Sequence, residues 1–392
     1  MRVAIAGGAL QGLEVTYLAR KAGFETLLLD RRADAPATGL CHRFVLLDLT
    51  DREALTGALA SVDMVLPATE NARALESLVG WCDENGMPLA FDPGAYAISS
   101  SKAASDHLFR KLGIPTPAPW PECGFPVLAK PDEESGSEGV EVFPHQQALE
   151  ARFGSGLPPG WVVQEYLTGP SYSIEVVGRP GSHTPLQVTA LEMDRDYDCK
   201  RVLAPSGLPS HLTGRFEETA VALAEAVGLS GIMDAEAILH DGRLKVLEID
   251  ARFPSQTPIA VYRSTGINMV ERLARVFASL DNAGPQPAPP RAPAGTVLEH
   301  IRVCHGTLSV CGEHVLAEAG PLHLEKDFLG ADEALTNHVP GKEEWVATLI
   351  VDGSDLKDAR ERRDRVIGEI RTRFSVSVYE DEYPPDPIGQ VP

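Results

Sequence analysis

Short apolar runs separated by polar, glycine-bearing turns set the rhythm of the first part of the chain. Arg2–Ala6 runs into Gly7-Gly8-Ala9-Leu10-Gln11-Gly12, the pattern of a strand, a glycine turn and a helix start that opens a βαβ unit. Further strands are predicted at Glu25–Asp30, Arg43–Leu47 and Met64–Pro67, completing an α/β lobe that closes near Ile98. Asp30 stands where a dinucleotide-binding fold holds ribose. The order Gly-Gly-x-x-x-Gly lacks the G-x-G-x-x-G spacing, however, so the fold is expected and that cofactor is not. Ala68-Thr69-Glu70-Asn71 falls at the carboxyl end of a strand, where open α/β sheets bind ligands. Glu70 is therefore a candidate polar contact, although a helix cap would carry the same residues.

Beyond this lobe the period changes. Ser99-Ser100-Ser101-Lys102 caps a predicted helix that runs to Leu112, with Leu108, Phe109 and Leu112 on one face, and Gly113-Ile114-Pro115 stops it. The strand Pro126–Pro131 carries Lys130, and the loop Glu134–Val140 contains Ser135, Gly136 and Ser137. Small residues let backbone N–H groups and hydroxyls approach an anion; an ordinary hairpin loop is the other reading. Strands follow at Trp161–Leu167 and Ser171–Val177, the second placing Ser173 and Glu175 on one face. The stretch Leu191–Arg201 alternates Glu192, Asp194, Asp196 and Asp198, either a solvated strip or the wall of a cation site.

A helix is predicted from Phe216 to Val227 and another from Met269 to Leu280. The prolines 285, 287, 289, 290 and 293 make 281–295 an extended connector. Strands near Thr296–Val303 and Trp345–Val351 precede a charged helix, Leu356–Arg373. The acidic, proline-rich end from Glu380 is expected to fray, and no catalytic constellation is expected in this last portion.

The most informative stretch pairs Gly231-Ile232-Met233-Asp234-Ala235-Glu236 with Val246-Leu247-Glu248-Ile249-Asp250-Ala251-Arg252. Asp241-Gly242 between them is a strong hairpin signal. Alternate side chains on a strand share a face, so Asp234 and Glu236 project together, as do Glu248, Asp250 and Arg252. If the strands pair, four carboxylates converge. Flanking Ile, Leu, Met and Val place them on the floor of a core, where unpaired carboxylates are costly and a cation must sit among them. An all-oxygen cluster suits Mg²⁺, which takes one or two carboxylates and fills its octahedron with water and substrate phosphates. A plain hairpin with a wet charged face would show the same alternation. Arg252, the polar Ser255-Gln256-Thr257 turn and the second acidic pair upstream favour a nucleotide-handling site instead.

Length and charge narrow this further. At 392 residues the chain suggests two or three domains, and 43% hydrophobic with 23% charged residues is a globular composition. Lys and Arg number 35 against 56 Asp and Glu, a net charge of −21 that repels nucleic acid and anionic membrane surfaces and favours a cationic substrate. The cysteines are scattered with no C-x-x-C pair, no apolar run reaches membrane length, and the first residues enter a strand pattern with no signal peptide. A cytoplasmic protein without nucleic-acid or membrane partners is expected.

Taken in order, Lys102 at a helix start, Lys130 on a strand, the Gly/Ser loop, the strand Val163–Leu167, and Glu236 followed by Glu248-x-Asp250 resemble the ATP-grasp superfamily over residues 1–280. Within it, the run from Glu248 to Pro258, with Leu10-Gln11-Gly12, Tyr197-Asp198-Cys199 and Gly231–Glu236, resembles the ligases of pyrrolysine biosynthesis, which join 3-methyl-D-ornithine to the ε-amino group of L-lysine using ATP. The resemblance implies an α/β ATP-grasp fold with an N-terminal Rossmann-like lobe (1–98), a small ATP-grasp subdomain (99–165) and a large one ending in a C-terminal α+β portion (166–392). ATP phosphates would meet Lys102, Lys130, Ser135, Gly136 and Ser137, and adenine would lie against Gln164, Glu165, Tyr166 and Leu167. Two Mg²⁺ ions would be held by Glu236, Glu248 and Asp250, and Arg252 would stabilise charge on the phosphoryl group or tetrahedral intermediate. A homodimer is compatible with this reading. Two departures stand out: Asp250 where Asn is usual, and Glu138 where the phosphate loop is often basic.

Substrate charge adds a hypothesis. Each ammonium of an ornithine derivative needs an anionic partner once water is excluded. Asp234 and Glu175, with Ser173 and the Ser255-Gln256-Thr257 turn, are expected there, and L-lysine between Leu10-Gln11 and Glu70. The rival assignment of Glu175 is a ribose hydroxyl.

Overall fold

The computed structural model describes residues 1–132, 139–154, 156, 159–278 and 295–385. The expected phosphate loop residues Ser135, Gly136, Ser137 and Glu138 thus lie outside the described residues. So does the proline-rich connector, except Gly295, which opens a strand.

The first lobe is a four-stranded parallel sheet in the order Arg43–Leu46, Glu25–Asp30, Arg2–Ala6, Met64–Pro67. Alternation along the strands sorts its two faces. Val3, Ile5 and Leu28 pack under the helix Leu10–Lys21, whereas Ala4, Ala6, Leu27 and Leu29 pack against Leu55 and Leu59 of Arg52–Leu59 and Leu78 of Ala72–Asn85. The glycine motif serves close packing. Gly7 has φ +117°, and a Cβ there would overlap the Ala68 carbonyl; a Cβ at Gly12 would overlap the Gly7 carbonyl. Asp30 accepts the Gly8 amide at 2.6 Å and the Arg32 amide at 2.7 Å, so the residue that would reach ribose in a dinucleotide fold is engaged by its own turn.

A small antiparallel sheet, Glu141–Phe143, Val127–Pro131 and Trp161–Glu165, follows the helix Lys102–Leu112. Ser101 caps that helix by accepting the Ala104 amide. Phe109 is buried, but Leu112, expected on the same face, is exposed because it is the last residue before the left-handed Gly113 cap.

The third sheet has twelve strands. Its path runs Arg243–Asp250, Gly231–His240, Ser171–Gly178, Thr189–Met193, Cys199–Ala204, Gly295–Cys304, Trp345–Gly353, Glu333–Thr336 and His323–Lys326, so the Asp241-Gly242 hairpin and the C-terminal portion share one sheet. The helix Ser210–Ala226 starts earlier than predicted, after Pro209. Its Phe216, Ala220, Leu223 and Ala224 cover Ile174, Val176, Met233, Ala235, Ala237 and Ile249. Alternate residues on those strands must then face the other way, and among them are Ser173, Glu175, Asp234, Glu236, Glu248 and Asp250.

The chain end departs from expectation. Val378–Asp381 pairs in parallel with Thr307–Val310, and Asp381 accepts Lys200 Nζ and Arg201 Nη2, each at 2.7 Å. Lys200 is fully buried, so its ammonium has to find an anion, and the acidic tail supplies one. The expected fraying is therefore absent through residue 385, the last one described.

Gly7→Ala is expected to lower the unfolding free energy by about 3 kcal/mol, because both the positive φ and the Ala68 carbonyl oppose a side chain. Urea unfolding followed by circular dichroism measures this. A loss below about 0.5 kcal/mol would mean that the turn relaxes at no cost.

Candidate active site

The strand register brings the acids together. Asp234 lies opposite Asp250 on one side and Glu175 on the other; Glu236 lies opposite Glu248 and Ser173. A register shift between Glu236 and Ala237 follows directly. Like charges directly opposite weaken a ladder, and the described residues offset this one only in part. Arg252 Nη2 sits 2.8 Å from Asp250 Oδ2 and 2.9 Å from Glu70 Oε1, and Gln11 Nε2 donates to the same Glu70 oxygen at 2.8 Å. This chain of contacts ties the first lobe to the hairpin.

Lys130 approaches from the small sheet. Burial pulls its pKa down, while the charges of Glu248 and Glu236 push it back. Lys102, at the first turn of its helix, has Nζ 3.4 Å from the Asp132 carbonyl. The acids respond to their crowding. Burial and the Glu248 charge raise Glu236 to about 8; burial raises Asp250 to about 7 against the pull of Arg252. Asp234 is held well above the carboxylate range by burial and the Asp250 charge. Burial disfavours the Arg252 cation too, but Asp250 and Glu70 outweigh it and raise its pKa.

Asp234 Oδ1 and Glu175 Oε2 are sealed from solvent with no hydrogen-bond partner among the described residues. Orphaned carboxylate oxygens among oxygen-only donors fit a hard divalent cation or an ammonium. Glu236, Glu248 and Asp250 can hold Mg²⁺, with Asp234 behind them.

These residues face a cavity of about 710 Å³ between the carboxyl edge of the first sheet and the large sheet. Its wall includes Leu10, Gln11, Glu70, Lys102, Ser173, Asp234, Glu236, Glu248, Asp250, Arg252, Ser255, Gln256 and Thr257. Lys130 and Glu175 stand behind that wall, Glu175 accepting from the Thr257 hydroxyl. Gln164, Glu165, Tyr166 and Leu167 do not border this cavity. The Glu165 amide donates to the Ala118 carbonyl at 2.8 Å and its carboxylate accepts Lys245 Nζ at 2.6 Å. Its N–H is therefore not available to adenine.

The C-terminal portion, where no constellation was expected, also reaches the cavity. The short helical turn Glu313–Leu316 brings Glu313 and His314 into the wall. Ser255 Oγ and Gln256 Nε2 donate to Glu313 Oε1 at 2.8 and 3.2 Å, and His314 Nδ1 meets Asp198 Oδ2 at 2.8 Å. Of the acidic alternation, Asp194, Asp196 and Asp198 lie in a tight turn, and Asp198 reaches the cavity wall. Asp194 Oδ1 accepts the Asp196 and Asp198 amides, Asp194 Oδ2 accepts the Gly312 amide at 2.8 Å, and Tyr197 has φ 64°. Glu14 is another residue the sequence did not single out; buried on the first helix, it accepts the Ile259 amide at 2.9 Å.

The ATP-grasp domain family matches residues 99–256. The 3-methyl-D-ornithine–L-lysine ligase of Methanosarcina mazei is 33% identical over 385 residues, covering 96% of this chain and 97% of that one. Its Methanosarcina acetivorans counterpart is 34% identical over 96% and 99%. Among solved structures, an ADP complex of N5-carboxyaminoimidazole ribonucleotide synthetase superposes with TM-score 0.68 at 14% identity, over 93% of this chain and 96% of that one. The biotin carboxylase domain of Hydrogenobacter thermophilus 2-oxoglutarate carboxylase, complexed with MgADP, ADP and bicarbonate, gives 0.70 at 16%, over 94% and 89%.

The raised carboxyls give a pH signature. Between their ordinary values near 4 and folded values of about 7 for Asp250 and about 8 for Glu236, the folded chain keeps protons that the unfolded chain has lost. Stability therefore falls as pH rises through that window. The metal- and nucleotide-free chain is expected to lose unfolding free energy from pH 5 to pH 8. Glu236→Gln should be more stable than the parent at pH 8 by on the order of 1 kcal/mol, with the gap shrinking at pH 5. A parent that matches Glu236→Gln at both pH values would contradict the crowding.

Proposed function

We infer from the family to which this chain belongs, the ATP-grasp 3-methyl-D-ornithine–L-lysine ligases, that it joins the carboxylate of 3-methyl-D-ornithine to the ε-amino group of L-lysine in pyrrolysine biosynthesis. It is an ATP-dependent carboxylate–amine ligase. The observation that carries the chemistry is the carboxylate face of Asp234, Glu236, Glu248 and Asp250 beside Lys130 and Arg252.

The ornithine carboxylate attacks the γ-phosphorus of ATP, releasing ADP and giving an acyl phosphate. The lysine ε-amine, once deprotonated, attacks the acyl carbon; the C–N bond forms, the C–O bond to phosphate breaks, and phosphate leaves. Mg²⁺ at Glu236, Glu248 and Asp250, two ions in our reading, supplies charge neutralisation of the phosphates. Lys130 and Lys102 add positive charge on the same side. Arg252, fixed between Asp250 and Glu70, is held for the charge that develops during transfer without having to reorganise. Adenine is assigned to the strand Gln164–Leu167, through Leu167 because the Glu165 amide is occupied, and Ser135, Gly136 and Ser137 to the phosphates.

The ammonium side of ornithine is assigned to Asp234 and Glu175, with Ser173 and Thr257 beside them. Support for ammonium over ribose at Glu175 comes from its neighbours, Asp234 across the ladder and Thr257. Lysine is assigned to the wall formed by Leu10, Gln11 and Glu70. We place the enzyme in the cytoplasm, where its free cysteines stay reduced; the net charge of −21 argues against nucleic acid as a partner. No helix of the described residues is long and apolar enough to cross a membrane.

Glu248→Gln should cut ligation by about a thousandfold while leaving the circular dichroism spectrum unchanged; unaltered turnover at saturating Mg²⁺ would remove Glu248 from the site. Lys130→Ala should weaken ATP binding by about tenfold or more in calorimetry, and equal affinity would refute the phosphate assignment. Asp234→Asn and Glu175→Gln should raise the KM for D-ornithine far more than that for ATP. An effect of Glu175→Gln on ATP alone would hand that residue to ribose.

A further inference from the structure

A second group of acids gathers around the start of the helix Pro258–Thr265. Glu175 accepts from Thr257, Glu14 from the Ile259 amide, and Glu313 from Ser255 and Gln256. Of these three only Glu313 lines the cavity. Its residue surface is 4% exposed, and both of its hydrogen bonds go to Oε1. Oε2 has no hydrogen-bond partner among the described residues, yet it is not among the sealed atoms and so opens to the cavity.

The surroundings leave Glu313 short of positive charge. Burial and the neighbouring Asp198 raise its carboxyl to about 7, and Asp198 keeps a buried, unpartnered Oδ1 of its own. His314, which pulls the other way, is tied to Asp198 Oδ2 at 2.8 Å. The stronger cations are engaged elsewhere. Arg252 is held by Asp250 and Glu70, Lys130 is influenced by Glu248 and Glu236, and Lys102 lies by Asp132. A nearly buried carboxylate with one oxygen fixed by neutral donors and the other facing a cavity is complementary to an ammonium ligand.

We propose that Glu313, oriented by Ser255 and Gln256, binds the ammonium group at the far end of the ornithine side chain and so selects that chain by length and charge. This rests on the ligase reading above. The reacting carboxylate has to meet the phosphates near Glu236 and Glu248. Asp234, the next acid along the strand of Glu236 and part of the cavity wall, takes the adjacent α-ammonium, with Glu175 across the ladder behind it. The side chain then extends toward the Ser255-Gln256-Thr257 turn, which Glu313 closes. A substrate lacking the distal ammonium would leave Glu313 desolvated and unpaired, the situation in which polar sites discriminate most strongly.

The test is steady-state kinetics of the full chain with ATP, Mg²⁺ and L-lysine, comparing D-ornithine with D-norvaline, which keeps the carbon chain and lacks the distal ammonium. Glu313→Gln should raise the D-ornithine KM by about tenfold or more, leave the KM values for ATP and L-lysine within about twofold, and shrink the preference for D-ornithine over D-norvaline. Glu313→Asp, which keeps the charge but withdraws it by one methylene, should raise the D-lysine to D-ornithine ratio of kcat/KM. It carries the test alone should Glu313→Gln fail to fold. An unchanged D-ornithine KM and unchanged discrimination, or a rise in the L-lysine KM instead, would overturn the inference alone. A parent chain that joins neither D-ornithine nor 3-methyl-D-ornithine to L-lysine would overturn the ligase reading, and this inference with it.

Discussion

Crowding of like charge on one buried sheet face is the constraint on which the rest of the molecule turns. Glu175, Asp234, Glu236, Glu248 and Asp250 share that face across three strands, and the opposite face is sealed by Phe216, Leu223 and their neighbours. The acids cannot turn away without exposing Ile174, Met233 and Ile249 to water, because a one-residue slip exchanges the faces of a strand. Their mutual repulsion is therefore locked in by the apolar packing beneath them. Arg252 relieves part of it, and the raised carboxyls of Glu236 and Asp250 mark what is left for a ligand to offset.

The same constraint explains how the parts of the chain are joined. Arg252 reaches Glu70, which Gln11 also holds, so the first lobe contributes an acid to the site. Glu14, on the same helix as Gln11, caps the helix Pro258–Thr265. The C-terminal portion supplies Glu313 and His314, anchored through Ser255, Gln256 and the Asp194–Asp198 turn. A site rich in carboxylates yet entered by ATP has to separate its charges. In the proposed assignment Lys130, Lys102 and Arg252 serve the phosphates, and the acids they do not offset serve substrates that carry ammonium groups.

Much of this was legible from residue order. The hairpin, its turn and the shared face of Asp234, Glu236, Glu248 and Asp250 follow from a period of two, and the parallel lobe follows from its apolar runs and glycine turn. Local patterns of this kind survive folding because neighbours in sequence set them. The role of Asp30 was not legible, since only the fold shows that the Gly8 and Arg32 amides occupy it. Nor was Glu313. It meets Ser255 across 58 positions, a pairing no periodicity encodes. The acidic run at Glu192–Asp198 left open a solvated strip or the wall of a cation site; Asp194 folds its later part into a turn by accepting the amides of Asp196 and Asp198, and Asp198 reaches the cavity wall. The stretch from Glu380 looked frayed because its composition is acidic and proline-rich; Lys200 and Arg201, buried far away in sequence, hold Asp381 in place.

If the carboxylate face is a cation site, its occupancy can be counted directly by titrating the ADP-loaded full chain with Mn²⁺ and following free Mn²⁺ by electron paramagnetic resonance. The carboxylate face calls for tight, nucleotide-dependent Mn²⁺ binding that weakens sharply when Glu236 and Glu248 are both changed to Gln. Binding of the same stoichiometry and affinity in that double variant would contradict it, and would place the metal away from the hairpin.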